Sequence, residues 1–209
     1  MSVFFWVDMA GVAVFAASGA LVASRKEMDL VGFGLIATVT GVGGGTLRDL
    51  LLDRPVFWLD QPVYLLLCVT VASVLFFIAP RLERRYPVLL WADAVGLSVF
   101  AVLGAALALK AGFGLVTAVV MGVMTATFGG LIRDVLCNEI PLILRREIYA
   151  TAAAFGAASY VGLSLLPMPT WVAEAGGLVA CLVLRSLGLS LGLSLPTYRP
   201  RAGRHYPLE

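Results

Sequence analysis

Apolar residues in this chain come in seven long runs, near positions 3–24, 30–52, 62–79, 88–109, 115–137, 148–166 and 170–191, separated by short polar segments. Each run is long enough to cross a hydrocarbon core of about 30 Å. Helix is the expected state, because lipid cannot satisfy free backbone groups. The prolines (Pro55, Pro62, Pro80, Pro87, Pro141, Pro167, Pro169, Pro196, Pro200 and Pro207) all fall at or beyond the ends of these runs. There a residue without an N–H does least damage to a helix. The pattern predicts an all-α membrane protein with seven transmembrane helices.

The runs repeat. Trp6, Asp8, Gly11, Val14, Phe15, Ala16, Gly19 and Ala20 recur 85 residues later as Trp91, Asp93, Gly96, Val99, Phe100, Ala101, Gly104 and Ala105. In the same register Thr40, Gly44, Gly45, Arg48, Asp49, Leu51, Leu59 and Tyr64 recur as Thr125, Gly129, Gly130, Arg133, Asp134, Leu136, Leu144 and Tyr149. Apolar matches alone arise by chance in such a chain, but an Asp, two Gly, an Arg-Asp pair, a Trp and a Tyr in one register do not. Each copy holds three spans. Three is odd, so the copies are expected to be inverted with respect to each other, an arrangement typical of proteins that move solutes across a bilayer. The predicted organisation is a first three-helix repeat over 1–86, an inverted repeat over 87–167, a seventh helix over 168–195 and a cytoplasmic tail over 196–209. The seventh span, with Glu174 and Arg185, has no counterpart and reads as a peripheral packing or oligomer helix.

Composition agrees with a membrane location: 60% of residues are hydrophobic and 13% charged, against about 25% charged in soluble domains. Mean hydropathy is +0.96. The first positive charges, Arg25 and Lys26, follow the first apolar run, so that run does not read as a cleavable signal peptide. With the N-terminus outside, cytoplasmic segments carry Arg25, Lys26, Arg81, Arg84, Arg85, Arg145, Arg146, Arg199, Arg201 and Arg204, whereas external loops carry only Arg54 and Lys110. This asymmetry predicts a cytoplasmic C-terminus. The arginines before the fourth and sixth spans read as topology determinants, with contact to anionic membrane lipids as a second role. Cys68, Cys137 and Cys181 are odd in number and lie in apolar runs, which suits buried thiols and neither a disulfide framework nor a metal site.

Candidate chemistry lies inside the repeat. The second span ends in GVGGGTLRDLLLDRP and the fifth in TATFGGLIRDVLCNEIP. Gly43, Gly44 and Gly45, with Gly129 and Gly130 in the second copy, permit either a break that frees carbonyls for a cation or close helix packing. Their recurrence beside Arg-Asp favours the pathway. Arg48, Asp49, Arg133 and Asp134 lie within or near the hydrocarbon, where ionised groups pair, face the bundle interior or snorkel. Span directions place Asp8 with Arg48 and Asp49 towards the outer face, and Asp93 with Arg133 and Asp134 towards the inner face. Two acid–arginine clusters are therefore expected, flanking a constriction near the glycines. They either line a polar pathway or lock spans together. Thr38, Thr40, Thr125 and Thr127 either offer hydroxyls to a permeating ion or bond back to their own helices. His205, the only histidine, reads as a solvated residue of the tail. With that lone histidine, no phosphate-binding GxxxxGK[ST] motif and no Cys/His metal spacing, the chain is expected to be neither an enzyme nor a cofactor, metal or nucleic-acid binder.

The segments GVGGGTLRDLLLDRPVFW and FGGLIRDVLCNEIPLILRREIYATAA closely resemble the paired motifs of the bacterial trimeric intracellular cation (TRIC) channel family, also catalogued as a "glycine transporter" repeat domain. The resemblance covers about residues 3–190. It implies a symmetric homotrimer in the bacterial inner membrane, with one potassium-permeable pore per protomer. That pore would be lined by glycine-kinked second and fifth helices with help from the first and fourth. The kink positions carry over to Gly43, Gly44, Gly45, Gly129 and Gly130, and the motif charges to Arg48, Asp49, Arg133 and Asp134. The halves differ where Phe128 stands in place of a glycine, which suggests a narrowing or hydrophobic gate. A secondary transporter, with glycine as the candidate substrate, working by alternating access of the repeats is the rival reading.

Overall fold

The computed structural model describes residues 3–81 and 85–196. Arg84, the arginines of the tail and His205 lie outside the described residues. The fold is all-helical among the described residues. Its elements are α1 (Val3–Arg25), α2 (Leu30–Leu51), a short α3 (Phe57–Asp60), α4 (Val63–Ile78) with a 3-10 turn at Ala79–Arg81, and α5 (Arg85–Lys110). Then follow α6 (Leu115–Leu136), a 3-10 turn at Leu142–Leu144, α7 (Ala150–Ser164) and α8 (Thr170–Leu191).

The helices stop where local chemistry stops them. After α2, Asp53 takes φ 52°, and the Arg54 N–H bonds the Asp49 carbonyl at 2.9 Å. After α6, Asn138 takes φ 51°, and the Glu139 N–H bonds the Asp134 carbonyl at 2.8 Å. Both are closures on a left-handed residue, a conformation Asn and Asp tolerate better than most side chains. The ends of α1 and α5 close the same way through Glu27 (φ 53°) and Gly112 (φ 85°). In each pair of stops the later one lies 85 residues on. Asp29 caps α2 by accepting from the Gly32 N–H at 2.8 Å, while Gly114 at the matching place offers no side-chain cap.

Helices α1, α2, α5 and α6 form the centre, with α1 against α2 and α5, and α6 against α2 and α5. Helix α4 covers α1 and α2; α7 covers α5 and α6; α8 packs on α7 and α5. Small residues make the close approaches: a Cβ on Gly44 would lie 2.1 Å from the Thr125 carbonyl oxygen, and one on Gly129 would lie 2.4 Å from that of Thr40. Only glycine lets α2 and α6 meet backbone to backbone there. The helical hydrogen-bonded course is continuous here: α2 runs as one helix through Gly43, Gly44 and Gly45, and α6 through Gly129 and Gly130. The outer surface is apolar, with Val31, Leu35, Leu66, Phe77, Val116 and Val179 exposed. Trp6, Trp91 and Trp171 are exposed near helix starts, as suits a bilayer boundary. All three cysteines are free and buried.

Among the described residues, six helices are long and apolar enough to cross a membrane. The predicted sixth span is the exception: α7 has 15 residues, about 22 Å of helix. The chain before it, Arg145–Tyr149, is bent instead of helical. The bend has a cause. Arg185 of α8, fully buried, bonds Glu147 Oε2 at 2.8 Å and the Ile148 carbonyl at 3.1 Å, and its guanidinium stacks 5.0 Å from the Tyr149 ring. Those bonds hold the segment out of a helical register.

Candidate functional site

Two clusters of charge sit on the central helices. In the second, α6 presents Arg133 and Asp134 on consecutive positions, and α5 presents Asp93. Arg133 Nη1 donates to Asp93 Oδ1 at 2.9 Å and to Ser18 Oγ at 2.8 Å, while its Nε donates to Asp134 Oδ1 at 2.8 Å. Asp134 Oδ2 in turn accepts the Leu142 N–H at 3.0 Å, tying the 3-10 turn to α6. Arg133 and Asp93 are fully buried. The Tyr149 hydroxyl reaches the same spot, since a Cβ on Gly130 would meet it at 3.2 Å, with Asp93 Oδ1 and Arg133 Nη2 each at 3.4 Å. Asp93 Oδ2 and Arg133 Nη2 are buried without a partner. This cluster is a closed clamp across α1, α5 and α6.

The first cluster begins the same way. Arg48 Nε donates to Asp49 Oδ1 at 2.8 Å, and Asp49 Oδ2 accepts the Phe57 N–H at 3.0 Å. The same two bonds, 85 residues apart, show that each Asp of the Arg-Asp pair anchors the short turn after its helix. The clusters diverge at the remaining acid. Asp8 makes no ion pair with Arg48 within 4.0 Å; its Oδ2 accepts the Tyr64 hydroxyl at 2.8 Å instead. The space between is a cavity of about 420 Å³ lined by Asp8, Arg48, Asp49, Asp60, Tyr64 and Leu107, among others. The expected union of Asp8 with Arg48 and Asp49 therefore holds as a shared cavity and not as an ion pair, whereas Asp93, Arg133 and Asp134 are directly bonded.

The clusters lie at different depths. Ser18, which touches Arg133, is about 15 Å along α1 from Asp8 at 1.5 Å per residue. Beyond α6, Glu139 meets Arg25 and Lys26 at the far end of α1 (3.4 and 3.7 Å) and Arg145 at 3.8 Å. Tyr86 joins them, bonded by Arg145 and lying under the Arg25 guanidinium at 4.9 Å. Between the clusters, α2 and α6 cross at the Gly44 and Gly129 contacts.

The threonines bond back to their own helices: Thr40 to the Ile36 carbonyl at 2.6 Å, Thr125 to Met121 at 2.7 Å and Thr127 to Val123 at 2.8 Å. Thr38, Gly43 and Phe128 are half-buried. Reading the sequence missed Ser18, Phe57, Glu139 and Arg185 as members of polar networks. Arg185 had a signal, as an arginine inside an apolar run. Tyr64 and Tyr149 recur in the repeat, yet only the fold shows that they point at the acids. Ser18 carried no signal, because position 103 in the second copy is leucine.

A family model described as "Glycine transporter" matches this chain twice, over residues 5–80 and 90–164. The chain is 44% identical to the UPF0126 inner membrane protein YadS of Escherichia coli (strain K12), over 93% of this chain and 95% of that protein. A UPF0126 membrane protein of Vibrio cholerae is 38% identical over 94% of this chain and 83% of its own length. Among solved structures, the TRIC trimeric intracellular cation channel orthologue from Rhodobacter sphaeroides is 54% identical. It superposes with a TM-score of 0.90, covering 92% of this chain and all of that one. A trimeric intracellular cation channel from C. elegans, at 14% identity and TM-score 0.61 over 91% and 93% of the two chains, shares the fold alone. The two matched repeats and the close relatives establish that this chain belongs to the TRIC cation channel family.

Proposed function

We propose that the protein is a homotrimeric, potassium-permeable monovalent cation channel of the bacterial inner membrane, with one pore per protomer. The observation that carries this reading is the pair of acid–arginine clusters built on matched positions of α1, α2, α5 and α6, at different depths of one apolar bundle. Ionised groups are costly there, and relatives matched over 95% or more of their own length are described as a trimeric cation channel or an inner membrane protein. In this reading α2 and α6 line the pore, with help from α1 and α5. The halves 1–86 and 87–167 are inverted three-span repeats, with α7 as the sixth span and α8 (within 168–195) as the seventh. The N-terminus is outside, and the tail from 196 is cytoplasmic. The lining residues are Asp8, Arg48 and Asp49 at the outer mouth, Asp93, Arg133 and Asp134 at the inner one, and the glycines and Phe128 between them. Asp8, Asp49, Asp93 and Asp134 offset the arginines and keep the path attractive to cations. In this conformation the inner mouth is shut by the Arg133 clamp. Each buried atom left unpaired in that clamp costs about 1–3 kcal/mol, which offsets part of what the Arg133 bonds contribute to the shut form.

One mouth open and one shut is also the geometry of an alternating-access transporter, which keeps glycine transport as the second reading. Purified protein in a planar bilayer under an asymmetric potassium gradient separates the two. Discrete currents reversing near the potassium potential and indifferent to added glycine are expected. A silent bilayer together with saturable glycine uptake by the same preparation in liposomes would overturn the channel reading.

A further inference from the structure

The two clusters share their residues, including a tyrosine beside each acid, but not their state, and the side chains around the two arginines break the repeat. Arg133 is held against Asp93 by Ser18, whose hydroxyl takes the same Nη1 at 2.8 Å. At Arg48 the position matching Ser18 is Leu103, which has no acceptor to offer. Arg48 is instead backed by the Phe57 ring, 5.6 Å from its guanidinium carbon, where the second copy has Leu142. Phe57 is braced by Tyr64, with ring centroids 4.7 Å apart, and its neighbour Trp58 donates to Thr46 Oγ1 at 2.8 Å. Positions 131 and 143, matching Thr46 and Trp58, are Leu and Ile and cannot make that bond. Arg48 is buried, lines the cavity, and donates among the described residues only through Nε. A charged fork and a carboxylate thus face one cavity without joining, although the same pair joins in the second half.

We propose that Tyr64 is a positioning residue that keeps this mouth open by holding the Asp8 carboxylate off Arg48, and that the Asp93–Arg133–Ser18 clamp is the shut form of the same device. The proposal deepens the pathway reading above and rests on it for its physiological meaning. Without the Tyr64 hydroxyl, Asp8 loses its acceptor role there and turns to the unpaired donors that line the same cavity, those of Arg48. The cavity between them then closes. Ion pairing also removes the free negative charge at the mouth, so the position of Asp8 sets both access and attraction for cations.

Thiol accessibility tests this without requiring current. Leu107 lines the cavity and the native cysteines are buried, so Leu107→Cys in proteoliposomes reports the open mouth through its rate of reaction with a small uncharged methanethiosulfonate. Adding Tyr64→Phe is expected to slow labelling about tenfold, the scale of one hydrogen bond to a charged group. Adding Arg48→Gln or, separately, Asp8→Asn to that background is expected to restore the rate, since either removes one half of the attraction. A merely structural role for Tyr64 predicts no such rescue. The proposal is overturned if Tyr64→Phe labels at the parent rate, or if slowed labelling survives both second substitutions in monodisperse protein. A silent bilayer with the expected labelling pattern would remove the channel reading and leave the latch standing.

Discussion

At the scale of single residues, the glycines are where identity is least negotiable. Gly44 and Gly129 face carbonyl oxygens of the opposing helix, and a backbone oxygen cannot swing aside as a side-chain tip can. Gly44→Ala or Gly129→Ala is expected to cost about 1–3 kcal/mol by overpacking and to lower the apparent melting temperature of detergent-purified protein. A Cβ added at Gly34 would meet nothing within 4 Å, so Gly34→Ala should be neutral or stabilising, by up to about 1 kcal/mol, as helix propensity favours Ala. Equal losses at Gly34 and Gly44 would show that propensity, not the α2–α6 contact, sets the requirement. The sequence marked these glycines as special through their recurrence. It left break and packing open, because both uses select the same residue.

At the scale of elements, α8 is more than a peripheral helix. Its Arg185 reaches Glu147 and the Ile148 carbonyl and thereby fixes the bend that shortens α7. Removing the acid leaves a fully buried guanidinium without its counter-charge. Glu147→Gln is therefore expected to cost about 2 kcal/mol, less than for a wholly buried pair because the Glu147 side chain is 30% exposed. Arg185→Leu combined with Glu147→Gln should recover most of that loss, since the buried charge goes too. Thermal unfolding of the single and double variants measures the coupling; simple additivity would mean the bend is set by something else. Hydropathy alone cannot find this bend, because Ile148 and Tyr149 continue the apolar run 148–166, and the bonds at the bend come from a residue 38 positions beyond Glu147.

At the scale of the molecule, four acids against two arginines along the proposed path attract cations without a means of telling one monovalent cation from another. No stack of carbonyls of the potassium-filter type is encoded. Reversal potentials under potassium–sodium gradients should give a permeability ratio far below the hundreds, and a ratio of that size would contradict the proposed path. The sequence by itself determined the helical membrane class, the approximate spans and the two copies, because span length, proline placement and an 85-residue recurrence are properties of the chain read in one dimension. It also grouped Asp93, Arg133 and Asp134, which the fold bonds directly, and Asp8, Arg48 and Asp49, which share a cavity with no ion pair from Asp8 to Arg48. Only the tertiary structure decided that one cluster is clamped and the other open. That outcome depends on Ser18, Phe57 and Tyr64 reaching across helices to the arginine or acid, and such contacts are set by packing distance, which a linear pattern does not carry.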